Sequence, residues 1–151
     1  MGEVRRINDQ LRRAFEGQAW HGPSLMELLA DVTAEQAAAK PLPAAHSIWE
    51  LVLHIAFWEE VSRKRLEGDE TQIQDGEGLF IVTDTSEAAW RAAVERLKQT
   101  NTALREAVAK LDDERLRERA AGQEYSIYFL LHGVIQHDLY HAGQIAMLKK
   151  A

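Results

Sequence analysis

The chain has 151 residues, 46% of them hydrophobic, no cysteine and a formal net charge of -6. That length fits one domain with a full core, and the missing thiols exclude disulfide staples, cysteine nucleophiles and cysteine metal ligands. No basic run stands out, which argues against a nucleic-acid partner. The most apolar stretch, Leu51–Trp58, is too short to cross a bilayer and runs into Glu59-Glu60. No apolar signal core follows the first residues. The expectation is a cytoplasmic protein, with no membrane or nucleic-acid partner, that meets a small molecule.

Proline is rare and Ala, Leu, Glu and Arg dominate, so helix is the default. Val4, Ile7, Leu11 and Ala14/Phe15 recur at helical spacing and predict a first helix over 3–16. Gly17 and then Gly22-Pro23 interrupt it. A shorter amphipathic piece follows, with Pro23 at or near its first turn and Leu25, Met26, Leu28 and Leu29 inward. Thr33-Ala34-Glu35-Gln36 has the capping-box pattern and opens a brief turn that ends before Pro41. The second long helix opens on another such box, Ser47-Ile48-Trp49-Glu50, runs to about Leu66 and stops at Gly68.

The link over 68–85 is acidic, carries Gly76 and Gly78, and is longer than a compact domain normally uses, so it reads as a crossover or a functional loop. The apolar run Leu79-Phe80-Ile81-Val82 within it stands alone and cannot make a sheet. A third long helix starts at Thr85 or Ser86; its seam of Trp90, Val94, Leu97, Leu104, Val108 and Leu111 is broken by Asn101. One more helical turn fits within 112–120. A fourth helix runs from Ser126 to about Lys149, where Lys149 and Lys150 suit a C-terminal end. The expected fold is all-α, a four-helix bundle in which the long crossover between helices two and three lets them run parallel.

His137 and His141 carry the chemistry. Four residues apart on one helix, their imidazoles lie about 40° apart on one face, a spacing that chelates a divalent ion. His54, in the apolar second helix, completes a tripod. Three buried imidazoles without partners are costly; a shared cation removes that cost and keeps open positions for water or substrate. The plainer alternative is three packed core histidines. Glu50, one turn before His54, is either only the helix cap, or a carboxylate that orients His54 or acts as a base. Gln144, one turn past His141, suits a hydrogen bond to metal-bound water or a solvated inter-helix position. Tyr140 suits donation to an oxyanion or simple packing. His132 points away from the pair and reads as structural; His46 and His21 read as loop or packing positions.

The runs HSIWELVLHIAFWE in helix two and HDLYHAGQIAMLKK in helix four, with Trp20-His21-Gly22-Pro23-Ser24-Leu25 and the long second connection, resemble the DinB-like superfamily of bacterial damage-inducible proteins over essentially the whole chain. The resemblance implies a bundle with a long crossover and a divalent metal, zinc or nickel, on His54, His137 and His141. Related proteins include bacillithiol S-transferases and a mycothiol-dependent maleylpyruvate isomerase. The activity this implies is metal-dependent thiol S-transfer with an external low-molecular-weight thiol. Alternatives are a metal-dependent hydrolase and a metal-binding stress-response protein without turnover. Surplus apolar helix faces are compatible with a homodimer.

Overall fold

The structure is a computed structural model and describes residues 2–151. Its helices are α1 (Glu3–Glu16), α2 (Leu25–Leu29), α3 (Ala34–Ala38), α4 (Ile48–Leu66), α5 (Glu87–Ala109) and α6 (Ile127–Leu148), with a 3-10 turn over Arg115–Arg117. Among the described residues no strand forms, and no helix is long and apolar enough to cross a membrane.

Local side-chain chemistry sets the helix starts. Thr33 and Ser47 close capping boxes with Gln36 and Glu50, and Ser86 and Ser126 accept the amides of Ala89 and Phe129. The start of α2 differs from the sequence expectation. Ser24 caps it through a third box with Glu27, which places Pro23 ahead of the cap rather than in the first turn. At the end of α4, Gly68 takes φ +96° and the Asp69 amide returns to the Lys64 carbonyl, so the chain turns out of the helix.

Cross-helix partners give the directions of the four long helices. Trp49 meets Trp90 with ring centroids 5.2 Å apart, and ten residues further along both helices Glu59 accepts from Thr100 Oγ1 at 3.0 Å; α4 and α5 therefore run parallel. His54 meets His137 while Arg65 meets Tyr125, so α6 runs against α4. The amide of Val4 bonds Asp113 while Asn8 bonds the Arg105 carbonyl, so α1 runs against α5. Each long helix packs on two others, α4 on α5 and α6, and α1 on α5 and α6. The connection over 67–86 is the crossover that parallel neighbours require.

The core falls into two apolar clusters, one at each end of the bundle. One holds Phe15, Trp49, Ile55, Trp90, Leu97 and Ile145. The other holds Ile7, Leu11, Leu104, Val108, Ile127 and Leu131. Along each of α4, α5 and α6 the change from one cluster to the other occurs at a buried polar residue: Glu59, Thr100 with Asn101, and Asp138. The asparagine that breaks the α5 seam is thus one member of a polar layer across the bundle.

Candidate metal centre

α4 and α6 bring His54, His137 and His141 together on their shared face, with nitrogens close enough to hold one ion. His137 Nε2 lies 3.1 Å from His54 Nε2 and 3.1 Å from His141 Nε2. The other ring nitrogens decide the tautomers. His54 Nδ1–H donates to the Gly78 carbonyl at 2.7 Å, and His141 Nδ1–H donates to Gln144 Oε1 at 2.6 Å. Both leave an unprotonated Nε2 facing that of His137. Burial lowers the pKa of all three, taking His137 and His141 to about 4. At neutral pH the three imidazoles are therefore neutral, and the Nε2 atoms of His54 and His141 both turn a lone pair toward His137 Nε2, leaving at most one proton among three converging nitrogens. A cation is the partner that fits. Ligand bonds of about 2.0–2.1 Å to a common ion place such nitrogens roughly 3 Å apart.

Two of the rings have acceptors behind them, from different parts of the chain. The Gly78 carbonyl arrives from the long connection, which is seated on α4. Gly78 has φ +81°, and a Cβ there would lie 2.6 Å from the Phe57 ring. Only glycine brings the chain this close while its carbonyl points at His54. Gln144 bonds His141 itself rather than facing the open side of the centre, where the sequence reading put a metal-bound water. His137 Nδ1 is buried without a hydrogen bond and faces Asp138 Oδ1 at 3.6 Å. Asp138 is 1% exposed, and neither of its carboxylate oxygens has a hydrogen-bond partner; a small approach of the two groups would give the carboxylate–imidazole pair that orients metal ligands.

Behind Asp138 lies Glu59, 0% exposed, which accepts from Asn101 Nδ2 at 2.6 Å and from Thr100 Oγ1 at 3.0 Å. Burial, reinforced for Glu59 by the Asp138 charge, raises both carboxyl groups well above the usual carboxylate range. Two adjacent anions in an apolar interior repel, so the pair keeps a proton.

The remaining expectations resolve differently. Glu50 accepts from the Ser47 amide at 3.0 Å and pairs with Lys40 at 2.8 Å and His46 at 3.3 Å. Its carboxylate is taken up at the cap, and the Gly78 carbonyl holds the position on His54 that the sequence offered to Glu50. Tyr140 is 66% exposed, its ring 5.2 Å from that of His141. His132 stacks on Tyr128, away from the centre, and His21 is exposed.

Sequence reasoning missed Asp138 and Glu59. A signal was present. Leu131, Val134, Asp138, His141 and Ile145 follow the buried phase of α6, and Val52, Ile55, Ala56 and Glu59 that of α4, so helical phase alone puts both acids inside.

The groove between α4 and α6 opens on both sides of the three histidines. Toward the N-terminal end of α6 is a cavity of about 200 Å³ walled by Trp58, Arg65, Tyr125, Phe129, Gly133 and His137. Toward the other end is one of about 580 Å³ walled by His46, Leu51, Tyr140, Gly143, Gln144 and Met147. Gly133 and Gly143 are the two glycines of α6. At each, an added Cβ would meet nothing within 4 Å. Neither packing nor a left-handed φ calls for glycine there, and a mid-helix glycine costs about 1 kcal/mol against alanine. Both keep the groove open.

A comparison with curated proteins finds no match. Among solved structures, the crystal structure of a conserved protein from Enterococcus faecalis is similar, with 17% identity, a TM-score of 0.68, and coverage of 99% of this chain and 96% of that one. At that identity the likeness is one of fold. The model of the DinB superfamily matches residues 19–145, a span that takes in the second and fourth long helices and all three converging histidines, and the chain belongs to that superfamily.

Proposed function

We propose that this protein is a metal-dependent thiol S-transferase that joins an external low-molecular-weight thiol to an electrophilic small molecule. The observation that carries the reading is the convergence of His54, His137 and His141 beside a cavity that His137 lines, with a second cavity along α6 that reaches Gln144, the partner of His141. A two-reactant transfer needs two binding spaces that meet at one centre. His₃ suits zinc or nickel, and the cytoplasm, which keeps thiols reduced, suits the reaction.

A divalent cation held by the three imidazoles supplies the charge that favours a thiolate over a thiol. The chain's own residues do the rest. The Gly78 carbonyl and Gln144 hold the His54 and His141 rings with Nε2 toward His137, and Asp138 faces the His137 ring from behind. Trp58 and Phe129 on one side, and Leu51 and Met147 on the other, give the reactants apolar walls and reduce the water around the sulfur. The thiol releases its proton to solvent. Its sulfur then attacks the electrophilic carbon, the S–C bond forms, and the leaving group departs with its bonding pair. A hydrolase that uses a general base for the attacking water would place a carboxylate on the open side of the centre. Glu50 is committed to Ser47, Lys40 and His46, while Asp138 and Glu59 lie on the buried side of the rings.

The test is metal content by mass spectrometry together with consumption of a chlorodinitroarene, with and without cysteine or glutathione. About one equivalent of zinc or nickel, with turnover that needs both metal and thiol and vanishes with the metal in His137→Ala, is the expected result. A metal-loaded protein with no thiol-dependent turnover of this or of an epoxide probe, or one that hydrolyses esters without thiol, overturns the reading.

A further inference from the structure

We propose that the cavity between the C-terminal half of α4 and the N-terminal half of α6 is a carboxylate-recognising subsite, with Arg65 as its anchor. It deepens the S-transferase reading by assigning a chemical class to one of the two reactants: a small acid with an apolar body.

Two arginines of α4 are used differently. Arg63 engages all three of its guanidinium nitrogens. Its Nε and Nη2 edge clasps Glu60 at 3.1 and 2.8 Å, and its Nη1 pairs with Glu67 at 2.5 Å. Arg65, two residues on and turned toward α6, spends one donor, Nη1, on the Tyr125 hydroxyl at 2.6 Å. Its Nε is buried with no partner, although the residue is only 9% exposed. A guanidinium has five donors, and its Nε/Nη2 edge is the fork that matches a carboxylate. That is the edge Arg63 uses on Glu60; on Arg65 neither nitrogen of it makes a hydrogen bond, and with Nε closed off Nη2 is the corner left for a ligand.

The nearby acids do not supply the missing partner. Glu60 and Glu67 are held by Arg63, and Glu59 is turned into the core against Thr100 and Asn101. Asp69 feels the Arg65 charge but is exposed, holds the Thr71 amide and makes no ion pair with Arg65. A nearly buried cation with an unfilled fork is costly unless something pairs with it.

The setting says what that partner is. Arg65 lies between two cavities: one on the side of Asp69 and Glu77, and one toward Tyr125, its hydroxyl partner, whose wall includes Trp58, Phe129, Val134 and His137. Gly133, one helical turn before His137, leaves open space where any other residue would project a side chain. A ligand that fills the cavity toward Tyr125 therefore places an apolar body against aromatic rings, its negative end at Arg65 and its remaining end beside the metal centre. The pocket is smaller than the usual drug-sized range of about 300–1,000 Å³, so the acid is small. The carboxylate belongs either to the thiol or to its electrophilic partner.

The experiment measures binding of 3-phenylpropionate and of its neutral amide, 3-phenylpropionamide, by calorimetry, on zinc-loaded and on metal-stripped protein. The acid should bind at least tenfold more tightly than the amide, about 1.4 kcal/mol, with and without metal. Arg65→Gln keeps a donor for Tyr125 and should bring the two ligands within twofold of each other. Gly133→Leu fills the cavity with a good helix former and should abolish binding of both ligands without lowering Tm; it keeps the test alive if Arg65→Gln fails to fold. Equal binding of acid and amide overturns the proposal. So does an acid preference that survives Arg65→Gln or exists only with zinc, since the acid is then bound by the metal. None of these readouts needs turnover, so the subsite stands or falls separately from the transferase reading. Where turnover is found, inhibition by 3-phenylpropionate competitive with the thiol assigns the carboxylate to the thiol, and inhibition competitive with the electrophile assigns it there. Inhibition competitive with neither overturns the subsite.

Discussion

Replacing Gly78 with alanine tests whether the acidic connection is part of the metal centre. Gly78 has φ +81°, a left-handed conformation that costs an L-residue about 1–2 kcal/mol. A Cβ there would also press to 2.6 Å from Phe57 Cδ1. Apart from Val82, the connection contributes nothing to either apolar cluster, so it relieves the strain by lifting off Phe57 while the bundle stays folded. The carbonyl that holds His54 Nδ1 leaves with it. Losing such an orienting partner costs about 10–100-fold in metal affinity, and a backbone penalty of this size lowers Tm by roughly 2–8 °C in a chain of this length. Gly76 is the control. Its φ is +89°, a Cβ there meets nothing, and its carbonyl serves only the Leu79 amide. Gly76→Ala should show a similar Tm loss with metal affinity almost unchanged. The assay is competition for zinc against a chromophoric chelator, read beside thermal unfolding of the metal-free proteins. Equal affinity losses in the two variants, or none in Gly78→Ala, would refute the role given to the connection.

Three further outcomes follow from the same geometry. Between pH 7.5 and 5.5, three ordinary imidazoles would lose roughly a thousandfold in apparent metal affinity to protons. Burial holds His137 and His141 at about 4 and lowers His54, so chelator competition across that range should show a loss below about tenfold; a loss near a thousandfold contradicts the lowered values. Gln144→Leu removes the acceptor on His141 Nδ1 and should weaken zinc binding about 10–100-fold while leaving the fold intact by circular dichroism; unchanged affinity removes Gln144 from the centre. Glu59→Gln acts on stability. The folded pair holds a proton that the unfolded chain releases above the ordinary carboxylate range, because burial raises Glu59 and Asp138. The stability this gives is complete below the unfolded pKa and is lost as pH rises toward the folded pKa, at up to about 1.4 kcal/mol per pH unit. The glutamine variant should therefore gain on the wild type as pH rises from 5 to 8 in urea titrations; parallel curves would show that the pair does not hold the proton.

Much of the fold is written in local signals. Periodic apolar residues mark α1, α4, α5 and α6, and Ser47, Ser86 and Ser126 announce their starts because a cap needs only its own next turn. The histidines stand out for a similar reason, since residue type and spacing on a helix are visible without the partner helix. What stays hidden depends on long-range contacts. The Gly78 carbonyl reaches His54 from 24 residues away through a backbone atom, which no side-chain pattern encodes. Arg65 and Tyr125 meet across 60 residues. Lys40 and His46 claim Glu50 from an irregular segment whose path the sequence does not reveal. Asp138 and Glu59 were legible in helical phase, yet charged residues on a buried phase look like errors in the phase until the whole layer is assembled.

That layer explains why the centre sits where it does. A four-helix bundle gains most by running one apolar seam from end to end, and replacing buried ionisable groups with well-packed apolar ones is often stabilising. Here α4, α5 and α6 each interrupt the seam at the same level, with Glu59, Asn101 and Asp138, and the apolar core is divided into two smaller clusters. Packing alone gives no reason for three coincident breaks. The side of the layer that faces the groove supplies one. Asp138 looks at His137 Nδ1, and Glu59, fixed by Asn101 and Thr100, stands behind Asp138. Positive charge on the Nε2 side of His137 makes its Nδ1–H a better donor and favours negative charge on Asp138, which the buried pair otherwise resists. The cost of burying the acids and the cost of bringing three buried imidazoles together, with His137 Nε2 at 3.1 Å from each of the other two, therefore have a common remedy, a cation in the groove. Stability forgone in the middle of the bundle becomes stiffness in the one ligand that neither the Gly78 carbonyl nor Gln144 holds.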